Sequence, residues 1–269
     1  MKIILTVGHS ILKTGSCTSA DGRSFGGVLE YAYNKNIVYQ AAAYLQSAGH
    51  QADILICPEL KFGKSTDERE YKLSRVNSGG YDLVCELHLN ASRFHNARGC
   101  EVLYKSEKGK QVAQRILDRL TTVFGNRGVQ RREDLYMLNR VKPTAVMLET
   151  FFCDSSDDCA LAEKTDVALL IAEGIHGSHI SLTPDRPAEG LFSSGMLYRV
   201  QTGAFTVCKN AEALKKELQE KDIDAFITVA DLGKLFYRVQ VGAFSVRKNA
   251  VNMQKVLRKA GYDAVIVRA

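Results

Sequence analysis

The sequence predicts an α/β domain, built on a twisted, largely parallel sheet flanked by helices, followed by a small α+β domain of βαββαβ order. Three observations carry this. Short apolar runs alternate with helical patterns through the first part of the chain; a stretch rich in proline and glycine then breaks all periodicity; and the remainder contains an internal repeat. The expected boundaries are 1–180 for the first domain, 181–195 for a linker and 196–269 for the second domain.

Residues 3–7, 52–57, 83–87 and 145–148 are short apolar runs, as strands buried on both faces require. Between them, residues 37–48 and 111–124 carry helical spacing, and residues 160–175 read as the closing helix. Thr183-Pro-Asp-Arg-Pro-Ala-Glu-Gly190 has two prolines, a glycine and charges without periodicity, which marks a linker. Beyond it, Tyr198-Arg-Val-Gln-Thr-Gly-Ala-Phe205 returns as Tyr237-Arg-Val-Gln-Val-Gly-Ala-Phe244. Each copy continues through Lys-Asn-Ala into a helical pattern and a second strand, at 225–229 or 264–267. Two such halves make one sheet with two helices on one face. Alternation turns Tyr198, Val200, Tyr237 and Val239 toward the helices and Arg199, Gln201, Arg238 and Gln240 outward.

Composition bounds the rest. With 45% hydrophobic and 25% charged residues over 269 positions, the chain is a globular protein and not a disordered tail. A net charge of +6 favours polyanions: nucleic acid, an anionic membrane surface or an anionic wall polymer. No apolar stretch reaches the roughly 20 residues of a membrane helix, so no transmembrane segment is expected. The seven cysteines are odd in number and form no C-x-x-C pair, which fits a reducing compartment and not a disulfide framework; Cys85 and Cys153, inside apolar runs, read as core. The first apolar run stops at Gly8, too short for a signal peptide.

Ligands gather at the carboxyl ends of the strands of such a sheet. His9 follows the first run, His88 closes the third and Glu149 closes the fourth, while Glu30 opens a helical segment. Two histidines and a carboxylate can bind zinc and leave one position open for water, and a further carboxylate can take a proton from that water. A histidine at a strand end also serves structural roles, so spacing alone leaves the constellation open. Glu149 is harder to treat as bland, because a carboxylate next to apolar core is costly without a partner. His176 and His179 form an H-x-x-H that reads as charge at a helix C-terminus, and His50 and His95 read as helix-end and loop residues.

The first domain resembles the zinc N-acetylmuramoyl-L-alanine amidases of the third amidase family, found in autolysins and phage endolysins. The resemblance runs through Val7-Gly-His9, Glu30 with Asn34, Glu86-Leu-His88-Leu-Asn90-Ala91, Pro143-Thr-Ala-Val-Met-Leu-Glu149, Phe151-Phe152 and Asp157-Asp158. It implies that His9, Glu30 and His88 bind one zinc ion and that Glu149 is the catalytic acid and base. It further implies hydrolysis of the amide between the muramic-acid lactyl group and L-alanine in bacterial peptidoglycan. Glu86 stands where many relatives carry a small polar residue. Glu86 and Asn90, on the strand of His88, are candidates to contact a zinc histidine or the substrate. Two other readings remain: a zinc peptidase cutting within the stem peptide, and a cell-wall-binding protein without catalysis.

The repeated Tyr-Arg-Val-Gln-x-Gly-Ala-Phe pattern resembles the SPOR family, small ferredoxin-like domains that bind peptidoglycan. It implies glycan contacts by Arg199, Gln201, Arg238 and Gln240, with Phe205 and Phe244 stacking on sugar. A βαββαβ sheet can also bind RNA, but the aromatic RNP pattern is absent and no nucleic acid is expected. With no export signal in its first residues, such a wall enzyme is expected to be made in the cytoplasm. It would act on the wall after release, through holin-type permeabilisation or mother-cell lysis.

Overall fold

A computed structural model describes residues 1–180, 198–221, 223, 225–231, 235–244 and 247–268. The chain divides into two compact units, Met1–Ser181 and Leu182–Ala269. The expected linker, 181–195, lies outside the described residues.

The first unit holds β1 (Lys2–Val7), α1 (Glu30–Ser47), β2 (Gln51–Leu55), α2 (Ser65–Ser78), β3 (Leu83–Asn90), β4 (Cys100–Tyr104), α3 (Glu107–Leu120), β5 (Asn126–Arg131), α4 (Tyr136–Asn139), β6 (Thr144–Phe152), α5 (Ser156–Glu163) and α6 (Val167–His176). Its six-stranded sheet runs β2-β1-β3-β6-β4-β5. All neighbouring pairs are parallel except β4 with β6. On one face, Leu73 and Val76 of α2 and Met137 and Leu138 of α4 cover Ile4, Val84, Ala145 and Met147. On the other, α1 packs on β1 and β3, α3 packs on β6, and α6 contacts both helices. Burial on both faces explains why β1, β3 and β6 read as largely apolar runs.

The closing helix foreseen at 160–175 is two helices. The chain breaks at Lys164–Asp166, where the Asp166 carboxylate accepts the backbone N–H of Leu169 at 3.0 Å and so starts α6. Gly174 lies against α3: a Cβ there would come within 2.5 Å of Ile116 Cα, so only glycine allows the approach. Cys85 and Cys153 are fully buried, as expected, and all seven cysteines are free thiols. No helix among the described residues is long and apolar enough to cross a membrane.

The second unit holds β7 (Tyr198–Phe205), α7 (Cys208–Glu220), β8 (Phe226–Asp231), β9 (Leu235–Phe244), α8 (Arg247–Lys259) and β10 (Val265–Arg268). This is the expected βαββαβ order, in an antiparallel sheet β10-β7-β9-β8. Val200, Val239 and Val241 form its core with Ala211 and Leu218 of α7 and Ala250 and Leu257 of α8, and Tyr198 and Tyr237 pack against it.

Strict alternation fails here in three places. The β7–β9 register shifts twice, around Gln201, and each shift breaks the odd–even rule that assigned the faces. Phe205 is not on an outer face: its ring lies over Gly203 beside Leu214 of α7 and packs on the core. Phe244 folds over Gly242 and packs on the same core. Gln240 is buried between Val239 and Val241 instead of facing solvent. Arg199, Gln201 and Arg238 keep partial exposure.

Candidate metal centre

Register brings three of the predicted residues to one end of the sheet. Val7 of β1 pairs with Leu87 of β3, and His88 pairs with Glu149 of β6, so His9, His88 and Glu149 stand at the ends of three adjacent strands. Gly8 makes this possible. A Cβ at that position would lie 2.0 Å from His88 Cε1, so any other residue displaces the imidazole. His9 itself has φ 64°, a left-handed conformation that a non-glycine residue adopts under constraint. The constraint is the next residue: the fully buried Ser10 takes Thr18 Oγ1 on its N–H at 3.1 Å and donates its hydroxyl to Glu68.

Glu30 reaches the same point as the first residue of α1. Its Oε2 accepts the N–H of Ala20 at 3.0 Å and its Oε1 accepts that of Leu89 at 3.1 Å. Oε1 also lies 3.0 Å from His88 Nδ1 and 3.4 Å from His9 Nε2. One ligand atom each from His9, Glu30 and His88 lie within 4.8 Å of one another. Two imidazole nitrogens and a carboxylate oxygen, anchored this closely, form a donor set that a divalent ion of the zinc type fits. Among the described residues it is the one such group.

Charge explains how the site behaves without an ion. Burial works against ionising Glu30, but its bonds to His88 and His9 outweigh this and hold the carboxyl well below its usual range. Burial likewise disfavours a charged His88; the carboxylates of Glu30 and Glu86 overcome it and push the imidazole up to about 10. Glu149 goes the other way. Burial raises it to about 7, against the attraction of His88 and reinforced by Glu30, Glu101 and Glu86. Its Oε2 is buried with no hydrogen-bond partner among the described residues.

Glu86 is buried, pairs with Lys72 and places Oε2 3.5 Å from His88 Nε2. Asn90 does not touch a histidine; its amide donates to Glu101 at 2.8 Å, and Glu101 pairs across the sheet with Glu149. A cavity of about 440 Å³ opens over the cluster, lined by His9, His88 and Glu149 and walled by Arg69 and Tyr136 among others. The remaining histidines stay apart. His50 and His176 lie 2.9 Å from each other, His179 donates to Glu173 at 3.0 Å and His95 to Asp154 at 2.7 Å. Sequence reasoning missed Ser10, Glu68, Lys72 and Glu101, because no local pattern reports the distant partners they bond to. Gly8→Ala is expected to weaken metal binding by roughly tenfold or more, the scale of a misoriented ligand, as measured by chelator competition.

The N-acetylmuramoyl-L-alanine amidase family model matches residues 3–178, and the SPOR domain model matches residues 195–268. Among solved structures, the catalytic domain of the CD27L endolysin targeting Clostridia difficile is 51% identical, with a TM-score of 0.64, over 67% of this chain and 99% of that one. The catalytic domain of CwlV, an N-acetylmuramoyl-L-alanine amidase from Bacillus (Paenibacillus) polymyxa var. colistinus, shares the fold at a TM-score of 0.52. It is 16% identical, over 65% of this chain and 94% of that one. The Probable autolysin PH of Staphylococcus aureus is 27% identical over 238 residues, 77% of this chain and 48% of the relative. The chain spans about half the length of the curated relatives it matches.

Proposed function

The chain belongs to the N-acetylmuramoyl-L-alanine amidase family, and on that premise we propose that it hydrolyses the amide between the muramic-acid lactyl group and L-alanine of peptidoglycan. Zinc is held by His9, Glu30 and His88, and the enzyme works as a lytic wall hydrolase of the endolysin or autolysin kind. The observation that carries the reading is the convergence of those three ligand atoms beside a carboxyl, Glu149, whose Oε2 has no hydrogen-bond partner among the described residues.

When bound, zinc supplies Lewis acidity, polarising a carbonyl and acidifying water. The chain's own residues do the rest. Glu30 and Glu86 hold the imidazole of His88 between them. Glu149 takes a proton from the attacking water and passes it to the amine nitrogen as the C–N bond breaks; without that proton the amine is a very poor leaving group. Its burial supports both roles, since a carboxyl near 7 can accept and return a proton at neutral pH. The cavity over the cluster gives room for the lactyl amide, with Arg69 and Tyr136 along its wall.

The second unit anchors the enzyme on the glycan strand, with Arg199, Gln201 and Arg238 as its candidate contacts; its SPOR match supports this. Digestion of purified peptidoglycan followed by mass spectrometry tests the reaction. Free stem peptides with an N-terminal L-alanine are expected, whereas fragments cut inside the stem would mean a peptidase and an undigested wall would mean a binding protein. Deleting residues 182–269 is expected to lower retention on glycan stripped of its stem peptides, measured by co-sedimentation, with the first unit still folded.

A further inference from the structure

Helix α2 sends two buried charged side chains toward the metal cluster. Glu68 and Lys72 are four residues apart, hence on one helix face, and both are almost completely buried. Glu68 receives the hydroxyl of Ser10, the residue after His9. Lys72 donates to the carbonyl of Val7 at 3.2 Å and pairs with Glu86 Oε1. The other oxygen of Glu86 faces His88 Nε2 at 3.5 Å, while Nδ1 of the same ring faces Glu30 at 3.0 Å. A buried ion pair adds little net stability over apolar residues of similar volume, so stability alone does not account for this one. A metal-ligating histidine, in contrast, donates its second ring N–H to an acceptor, often a carboxylate, that fixes ring and tautomer.

We propose that Lys72 is a positioning residue of the metal centre: its ammonium fixes the Glu86 carboxylate, which holds His88 by Nε2 and leaves Nδ1 on the side of Glu30. The assignment rests on the zinc reading. Lys72 acts through Glu86, with which it pairs, and the tie to the Val7 carbonyl joins the strand ahead of His9 to the same ammonium.

Lys72→Met alone strands a buried carboxylate, so the decisive variant is Lys72→Met with Glu86→Leu, which removes both charges and keeps the volume. Zinc affinity is measured by chelator competition for the wild type, this double variant and Lys72→Arg, alongside thermal unfolding of the metal-free forms. The double variant is expected to fold and to bind zinc roughly 10–100-fold more weakly, with Lys72→Arg close to the wild type. A folded double variant that binds as tightly as a zinc-binding wild type overturns the inference alone; a wild type that takes up no zinc overturns the metal reading with it. Nitrogen-15 NMR of the zinc-loaded wild type is a second test that needs no variant. A proton on Nε2 of His88 is expected, and a proton on Nδ1 overturns the inference.

Discussion

Glu149→Ala is expected to lower peptidoglycan hydrolysis by roughly 10²–10⁴-fold, the range of a general acid–base group, while the protein keeps its metal. The two effects separate because Glu149 is not among the three clustered ligand residues; it enters from β6, one strand beyond His88. The pH dependence has a definite sign. Burial raises the carboxyl from 4.5 to about 7 in the metal-free protein, and a cation beside it favours the ionised form and lowers that value. The base is active when ionised, so activity falls as the medium becomes more acidic, with the acid limb at or below about 7. For folding of the metal-free protein, this group's contribution is fully present below 4.5 and is lost as pH rises through about 7. Turbidity loss of purified walls and metal content decide the matter. A Glu149→Ala protein that clears walls at the wild-type rate would falsify the role.

What the sequence disclosed, and what it hid, divides along a physical line. Strands β1, β3 and β6 are buried on both faces and therefore spell themselves out in apolar residues, which makes the strand-end positions of His9, His88 and Glu149 legible in the sequence. Strand β5, Asn126–Arg131, lies at the sheet edge and carries mostly exposed polar residues, so no apolar run announces it. Helix α2 reads as a solvated segment, STDEREYKLSRVNS. Burial of Glu68 and Lys72 within it depends on Ser10, 58 residues away, and Glu86, 14 residues away, and local periodicity cannot report such partners. In the second unit the repeat revealed the order of elements. The two register shifts between β7 and β9 did not show, and with them went the placement of Phe205, Phe244 and Gln240. Alternation predicts faces only where pairing is regular.

His88→Ala is expected to lose metal and hydrolysis together, and Glu30→Ala to do the same, because each removes one of the three clustered donors. The wild type should lose hydrolysis on exhaustive chelation and regain it with zinc. Binding should also release protons. In the metal-free protein the carboxylates of Glu30 and Glu86 overcome burial and hold His88 protonated up to about 10, yet a ligating imidazole must give up that proton. At neutral pH His88 therefore contributes about one proton released per ion, and metal affinity weakens by about tenfold per unit of falling pH. The same charge stabilises the metal-free fold. Since His88 is raised from 6.5 to about 10, its contribution is complete below 6.5 and disappears as pH rises through about 10. Calorimetric titration with zinc in buffers of different ionisation enthalpy counts the protons directly. A wild-type protein that binds zinc with no proton release near neutrality would mean that His88 enters the complex from its neutral form, and the charge-holding role of its two carboxylates would have to be abandoned.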